Sequence, residues 1–216
     1  MGTIPPSDIA SRENIVKILL IGATGMIGSR IAAELESRGH EVTPASRATG
    51  LDASDASSVA RAAEGHDAVV SAVAPPRDGS DPEGPLLAVT RALIEGVRQA
   101  GVRRLIALGG AGGLEVAPGT RLVDTPDFPE IYKKESLAQA AALEVYRGVE
   151  DLDWTYVAPA AEIAPGERTG SFQVGGDRLL TDDEGRSFVS AEDCAVLVAD
   201  ELEKGGHIRQ RVTLAY

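Results

Sequence analysis

The apolar positions of this chain follow two alternating rhythms, short unbroken runs and longer stretches at helical spacing. Ile15-Val16-Lys17-Ile18-Leu19-Leu20-Ile21 is nearly continuous and rich in β-branched residues, the pattern of a parallel strand buried on both faces. Glycines follow, and the period changes: Ile27, Ile31, Ala32 and Leu35 fall on one helical face, Arg30, Glu34 and Arg38 on the other, and Gly39 ends the helix. Residues 41–45 predict a second strand, closing at Ser46-Arg47, and 48–53 leave room for a stub of a third. Asp55 or Ser57 caps a helix through Ala63, stopped by Gly65. A strand over 67–74 halts at Pro75-Pro76. After a polar loop come a helix over about 86–100 and a strand over 104–108. The glycine run Gly109-Gly110-Ala111-Gly112-Gly113 then opens a long loop to Pro129, and an Ala-rich helix covers 130–147. Residues 153–158 form another strand. Short strands, a helix near 192–203 and a final strand over 211–215 complete the chain. Strands that alternate with helices in this way predict an α/β protein: a doubly wound, mostly parallel sheet with helices on both faces. The expected organisation is a polar, proline-bearing tail at 1–14 and a single domain at 15–216 with a small C-terminal substrate lobe.

The first βα junction carries the clearest chemistry. Gly22-Ala23-Thr24-Gly25-Met26-Ile27-Gly28 lies between predicted strand and predicted helix. There Gly22 allows a tight turn, Gly25 lets backbone N–H groups approach a pyrophosphate, and Gly28 permits close helix packing. The helix N-terminus adds partial positive charge where phosphates would sit, and Thr24 adds a hydroxyl. The glycine spacing is three and three, where the usual Rossmann fingerprint has two and three. About 20 residues on, Ser46-Arg47 ends the second strand where an acid would select NAD. Arg47 can grip a phosphate through a bidentate fork, which favours NADP and leaves NAD possible.

Bulk composition narrows the classes. The chain has 216 residues, enough for one domain, and a formal charge of -12 that disfavours nucleic-acid binding. The single cysteine, Cys194, excludes an internal disulfide and reads as a small buried apolar residue. His40, His66 and His207 are scattered at element boundaries and read as surface residues, and no carboxylate spacing suggests a metal. No leader pattern or apolar span is visible, so the expectation is a soluble cytoplasmic monomer or dimer without nucleic-acid or membrane partners.

Several segments together resemble one family. The glycine loop is similar to the opening of atypical short-chain dehydrogenase/reductase proteins. Asp153-Trp154-Thr155-Tyr156-Val157-Ala158-Pro159-Ala160 resembles their sixth strand; Gly166-Glu167-Arg168-Thr169-Gly170 and Ser190-Ala191-Glu192-Asp193-Cys194-Ala195 resemble their C-terminal segments. The likeness covers about 16–216 and points to the NAD(P)H-binding group of NADH-flavin reductase, biliverdin reductase B and NmrA-like proteins. It implies that Gly22, Thr24, Gly25, Met26, Ile27 and Gly28 line the pyrophosphate and that Arg47 meets the adenosine ribose or its phosphate. It places Asp52 and Ala53 beside the adenine, and Ala72, Val73 and Ala74 beside the adenine and its ribose. Gly109, Gly110 and Ala111 would border the nicotinamide ribose, with Pro159, Ala160 and Ala161 near the carboxamide.

The chain departs from the wider superfamily at the chemistry. The usual Tyr followed four residues later by Lys is missing: Tyr132 is followed there by Ser136, and Tyr146 by Glu150. Gly109-Gly110-Ala111 stands where a serine is expected, and Pro159-Ala160-Ala161-Glu162 lacks the histidine of the biliverdin-reductase-like branch. Tyr132 and Lys133 are the only catalytic candidates. General acid assistance is often worth ~100 to 10,000-fold, so its absence argues against reducing a simple ketone. A flavin or quinone spreads charge over its ring and takes a proton from solvent, so an NAD(P)H-dependent reductase of a flat acceptor fits best. Phe128 and Tyr156 could wall that acceptor, with the loops at 75–85 and 112–129 shaping its pocket. The alternatives are a non-catalytic NAD(P)-binding redox sensor and a sugar-nucleotide epimerase or dehydratase.

Overall fold

The computed structural model describes residues 15–75 and 80–216. Along them run β1 (Lys17–Ile21), α1 (Met26–Ser37), β2 (Glu41–Ala45), α2 (Ala56–Ala63), β3 (Ala68–Ser71), α3 (Glu83–Gln99), β4 (Arg104–Leu108), β5 (Glu115–Ala117), β6 (Thr120–Arg121), α4 (Glu130–Arg147), β7 (Asp153–Pro159), β8 (Glu162–Ala164), β9 (Gln173–Gly175), β10 (Phe188–Ser190), α5 (Ala191–Lys204) and β11 (Gln210–Ala215). Seven strands form one sheet in the order β2-β1-β3-β4-β7-β11-β9. All neighbours are parallel except the antiparallel pair β11–β9. The chain leaves β1 through α1 to reach β2, then returns past β1 to β3, so direction reverses at β1. This is a Rossmann-type doubly wound α/β domain, as the strand–helix alternation predicts.

Period-two alternation divides each central strand between two cores. Leu19 and Ile21 of β1, Val69 of β3 and Leu105 of β4 pack with Val59, Leu93 and Leu143 of α2, α3 and α4. Ile18, Leu20, Val70 and Ile106 pack on the other face with Ile31 and Leu35 of α1 and Leu197 of α5. Near-continuous apolar runs are what a sheet covered on both faces demands.

The structure corrects several expectations. No third strand forms at 48–53: Arg47–Thr49 is a single 3-10 turn, boxed by Ser46 and Thr49 and closed by Gly50 at φ 86°. β2 is therefore an edge strand. Glu41 N donates to Val16 O (3.0 Å) and Ala45 O accepts from Gly22 N (2.9 Å), so its odd positions bond β1 while Val42 and Pro44 turn their backbones outward. The segment before α4 is not an open loop but a β5–β6 hairpin between two 3-10 turns, Ala111–Gly113 and Leu122–Asp124. The small C-terminal lobe is a parallel β8–β10 pair, with β9 returning to the main sheet.

The histidines are not free surface groups either. His40 is buried; its Nδ1 accepts from Val16 N (3.3 Å) and its Nε2 meets Glu203 (3.1 Å), tying β1 to α5. His66 Nε2 meets Thr43 Oγ1 (2.8 Å), and His207 Nδ1 lies 2.6 Å from Glu201. Cys194 is buried as expected, and burial pushes its thiol up to about 12, which leaves it unreactive.

One network fastens the C-terminal lobe to α1 and α5. The buried Asp193 carboxylate accepts from the Thr169 hydroxyl, from Gly170 N (2.8 Å) and from the Tyr216 hydroxyl (2.8 Å). Beside it, Glu34 of α1 is only 6% exposed and takes both arms of Arg168 (2.7 and 2.8 Å) together with Arg38 (2.8 Å). Chiefly the Arg168 hydrogen bond, with help from Arg38, holds the Glu34 carboxyl below the usual glutamate range. Its stabilisation is therefore present above the unfolded glutamate pKa and is lost as pH falls through the lower folded value. Arg168 is half-exposed, which discounts the pair. Glu34→Gln should cost about 1–2 kcal/mol at pH 7 in urea melts. It should also flatten the loss of stability below pH ~4.5 relative to the parent; parallel acid limbs would contradict the assignment.

Candidate nucleotide-binding cleft

A single register row marks the C-terminal edge of the sheet. Ile21 pairs with Ala45 and Ser71, Ser71 with Ala107, Ala107 with Tyr156, and Tyr156 with Arg211. Above this row the parallel strands release their loops, the place where open α/β sheets hold ligands.

The glycine loop is pinned there from both sides. Gly22 N donates to Ala45 O (2.9 Å), Ala72 N to Ile21 O (2.8 Å), and Gly25 N to Gly22 O (3.1 Å). Gly22 adopts φ +85°, and a Cβ on it would lie 2.8 Å from Ala72 O, so only glycine fits. A Cβ on Gly28 would stand 2.1 Å from Gly22 O. What Gly28 clears is thus the loop's own carbonyl. A Cβ on Gly25 would meet only Gly22 O, at 3.4 Å, and otherwise enter open space.

Gly25 is also the N-cap of α1, with no side-chain cap and no acid in the first turn. By contrast, Asp55 caps α2 through Ser57 N, and Ser190 caps α5 through Asp193 N. Thr24, Gly25 and Met26 are exposed at the α1 terminus. An uncapped, acid-free helix end with space over its glycine fits a diphosphate: the N–H groups and the dipole both favour an anion. The nearest cation on the helix, Arg30, is already committed to Glu192 (2.6 Å) and Met26 O (2.7 Å).

The other positions named from the sequence are spread along the sheet from β2 to β7. Arg47 is exposed just past β2 and carries no ion pair among the described residues. Asp52 accepts from Ser54 N (2.9 Å) and Ser54 Oγ (2.6 Å), which hold its carboxyl below the usual range; Ala53 packs against the α2–α3 core. Ala72, Val73 and Ala74 follow β3. Pro159 and Ala160 are buried at the end of β7, and Ala161 N donates to Ser187 Oγ (3.1 Å). Of the loop at 75–85, residues 76–79 lie outside the described residues. The 112–129 segment lines a groove of about 440 Å³ on the outer flank of α4, beside Leu137, Arg147 and Arg211.

Gly109–Gly113 serve a packing purpose that the sequence did not reveal. A Cβ on Gly109 would fall 2.1 Å from the Tyr156 ring, one on Gly110 3.5 Å from Gln139 Cδ, and one on Gly112 2.4 Å from Ser136 Cβ. The run is a bed that lets α4 and β7 come close. Tyr156 therefore does not wall a substrate. It is buried 5.7 Å from the Tyr146 ring, its hydroxyl donates to Gln139 O (2.9 Å), and burial raises its phenol far above the usual value. Phe128 is half-buried.

Tyr132 stands in the first turn of α4, 55% exposed, with no hydrogen-bond partner among the described residues. Lys133 Nζ lies 3.7 Å from Glu130. Tyr132, Ser136 and Gln139 share one helical face, and Ser136 packs on Gly112. Ser136 and Gln139 escaped notice in the sequence because their importance comes from glycines more than twenty residues away.

Two substitutions separate folding from binding. Gly28→Ala must displace the loop and should lower both Tm and nucleotide affinity. Gly25→Ala should keep the parental Tm yet weaken NADPH about tenfold or more, since its methyl intrudes only on the open helix end. Unchanged calorimetric affinity in Gly25→Ala would count against phosphate binding there.

Comparisons with known proteins agree with this geometry. The family model described as NAD(P)H-binding matches residues 22–204. A Burkholderia pseudomallei structure described as an exported protein is 48% identical, covering 94% of this chain and 100% of its own, with TM-score 0.85. A Bacteroides thetaiotaomicron structure named as a candidate epimerase is 35% identical over 94% and 98% of the two chains, with TM-score 0.86. A Streptococcus pneumoniae structure named as a candidate NADH-flavin reductase is 32% identical over 93% and 99%, with TM-score 0.77. No helix among the described residues is long and apolar enough to cross a membrane. With most of its length matched by the family model and nearly all of it by these structures, the chain belongs to the NAD(P)H-binding family.

Proposed function

We propose that this chain is an NAD(P)H-dependent oxidoreductase that reduces a flat conjugated acceptor, a flavin or quinone, and that it prefers NADPH. The observation that carries this reading is the uncapped, acid-free N-terminus of α1 behind Gly22–Gly28. Bound there, the dinucleotide supplies hydride. Backbone N–H groups from Thr24 to Gly28 hold its diphosphate, and Arg47 forks onto the 2′-phosphate. Asp52, Ala53 and Ala72–Ala74 flank the adenosine; Gly109–Ala111 and Pro159–Ala161 border the ring end. The protein's work is then to hold two rings face to face and exclude water from between them. No general acid is needed at Tyr132, because a reduced flavin or quinone is protonated by solvent. The description of the Streptococcus pneumoniae relative supports this acceptor class. The epimerase named for the Bacteroides thetaiotaomicron relative is less suited here, since Ser136 replaces the lysine such chemistry uses.

A second reading, a dinucleotide-binding redox sensor, is favoured by one observation: Tyr132 is exposed without a partner and Lys133 faces Glu130. NADPH oxidation with FMN, FAD and a quinone decides between them. Turnover above the protein-free rate is expected; tight binding without turnover would establish the sensor instead. Arg47→Ala should weaken NADPH about 10- to 100-fold, the worth of a charged bidentate contact, and leave NADH nearly unchanged. Equal losses for both nucleotides would remove Arg47 from 2′-phosphate recognition.

A further inference from the structure

Beneath the C-terminal edge, between the ends of β3 and β4 and helices α3 and α4, lies a small void lined by Ser71, Val73, Leu86, Thr90, Gln139 and Tyr156 among others. At about 20 Å³ it has room for one water molecule. The register row explains it. Ser71, Ala107 and Tyr156 stand side by side on three adjacent strands, facing the same helices. Tyr156 fills its share of the space, whereas Ser71 and Ala107 stop short.

The walls are mostly apolar, yet five polar side chains border the void, one of them Tyr146, whose ring packs against Trp154 and Tyr156. Two are committed: Thr90 Oγ1 donates to Leu86 O (2.9 Å) and the Tyr156 hydroxyl to Gln139 O (2.9 Å). Two are not. The Ser71 hydroxyl, in a residue 3% exposed, has no partner among the described residues. The Gln139 side chain, in a residue 9% exposed, meets the Tyr156 hydroxyl at 3.3 Å through one end of its amide and nothing through the other. Neither is among the side-chain atoms sealed from water without a partner, so each keeps a free hydrogen-bonding position bordering the void. Two of them at one void, directly below a ligand cleft, point to partners that arrive with a ligand. Gln139 is well placed to meet one: its amide atoms lie 3.5 to 3.8 Å from where a Gly110 side chain would begin. Gly110 belongs to the segment assigned above to the ring end of the dinucleotide.

We propose that Gln139 and Ser71 form the polar floor of the nicotinamide subsite, Gln139 bonding the nicotinamide itself directly and Ser71 through the one water the void holds. This rests on the dinucleotide reading of the cleft. Gln139 is a positioning residue: its amide has no titratable proton to give, and its Oε1 lies 3.3 Å from the Tyr156 hydroxyl.

The test compares NADPH with 2′-phospho-ADP-ribose, the oxidised molecule's framework without its nicotinamide, by titration calorimetry. Gln139→Leu should raise the Kd for NADPH about fivefold and leave that for 2′-phospho-ADP-ribose within about twofold, the effect of one neutral hydrogen bond at the ring end. Ser71→Ala, which spares the Tyr156–Gln139 tie and so guards against a misfolded Gln139 variant, should give a smaller loss of the same selectivity. Parallel losses for both ligands, or no loss for either, would make these residues structural and overturn the proposal. Failure of the parent protein to bind either ligand would instead refute the dinucleotide reading and take this subsite with it.

Discussion

The approach of α1 to the end of β1 governs the rest of the molecule. Where the helix passes the loop, only a hydrogen fits between Gly28 and the Gly22 carbonyl, since a Cβ would stand 2.1 Å away. That contact fixes where α1 begins and therefore where its dipole ends. It also sets the depth at which Ile31 and Leu35 enter the core against α5. Glu34, one turn on from Ile31, then faces Arg168 of the C-terminal lobe, so the glycine-loop end of α1 and the lobe's anchor lie on one rigid rod.

Close approach recurs wherever the cleft is built. Gly109 and Gly112 admit Tyr156 and Ser136, which draws α4 against the sheet edge. Gly96 does the same between α3 and α2, where a Cβ would meet Val59 at 2.6 Å. Tight packing of small residues fits a chain that is only 4% aromatic. Three of its eight aromatic rings, Tyr146 of α4 with Trp154 and Tyr156 of β7, cluster together and leave the neighbouring Ser71–Ala107 stretch underfilled. The void below the cleft is the complement of that clustering.

Much of this architecture was legible from local pattern. The helix expected over 130–147 is the one observed, and β1 declares itself through its apolar run. The strand–glycine–helix junction needs only neighbouring residues to be read. What escaped the sequence depends on distant partners. Whether 48–53 pairs as a strand depends on competition with a turn that Ser46, Thr49 and Gly50 form locally and win. The packing of α4 and β7 on the glycines at 109–113 has no local signature, because Ser136 and Tyr156, which touch Gly112 and Gly109, lie more than twenty positions on. Tyr156 looked available to a substrate because its strand position was clear and the helix above it was not. His40, placed at an element boundary, gave no hint that Val16 and Glu203 would enclose it.

The missing third strand has a consequence for how copies of the protein behave beside one another. A parallel sheet that stops at β2 exposes a row of unpaired backbone groups, a template onto which a foreign strand could add. Pro44 stands at an outward-facing position of that row, where the backbone would otherwise offer an N–H. Its ring removes one donor from the open rim without costing a bond to β1, so strand addition is interrupted at this edge of the described sheet.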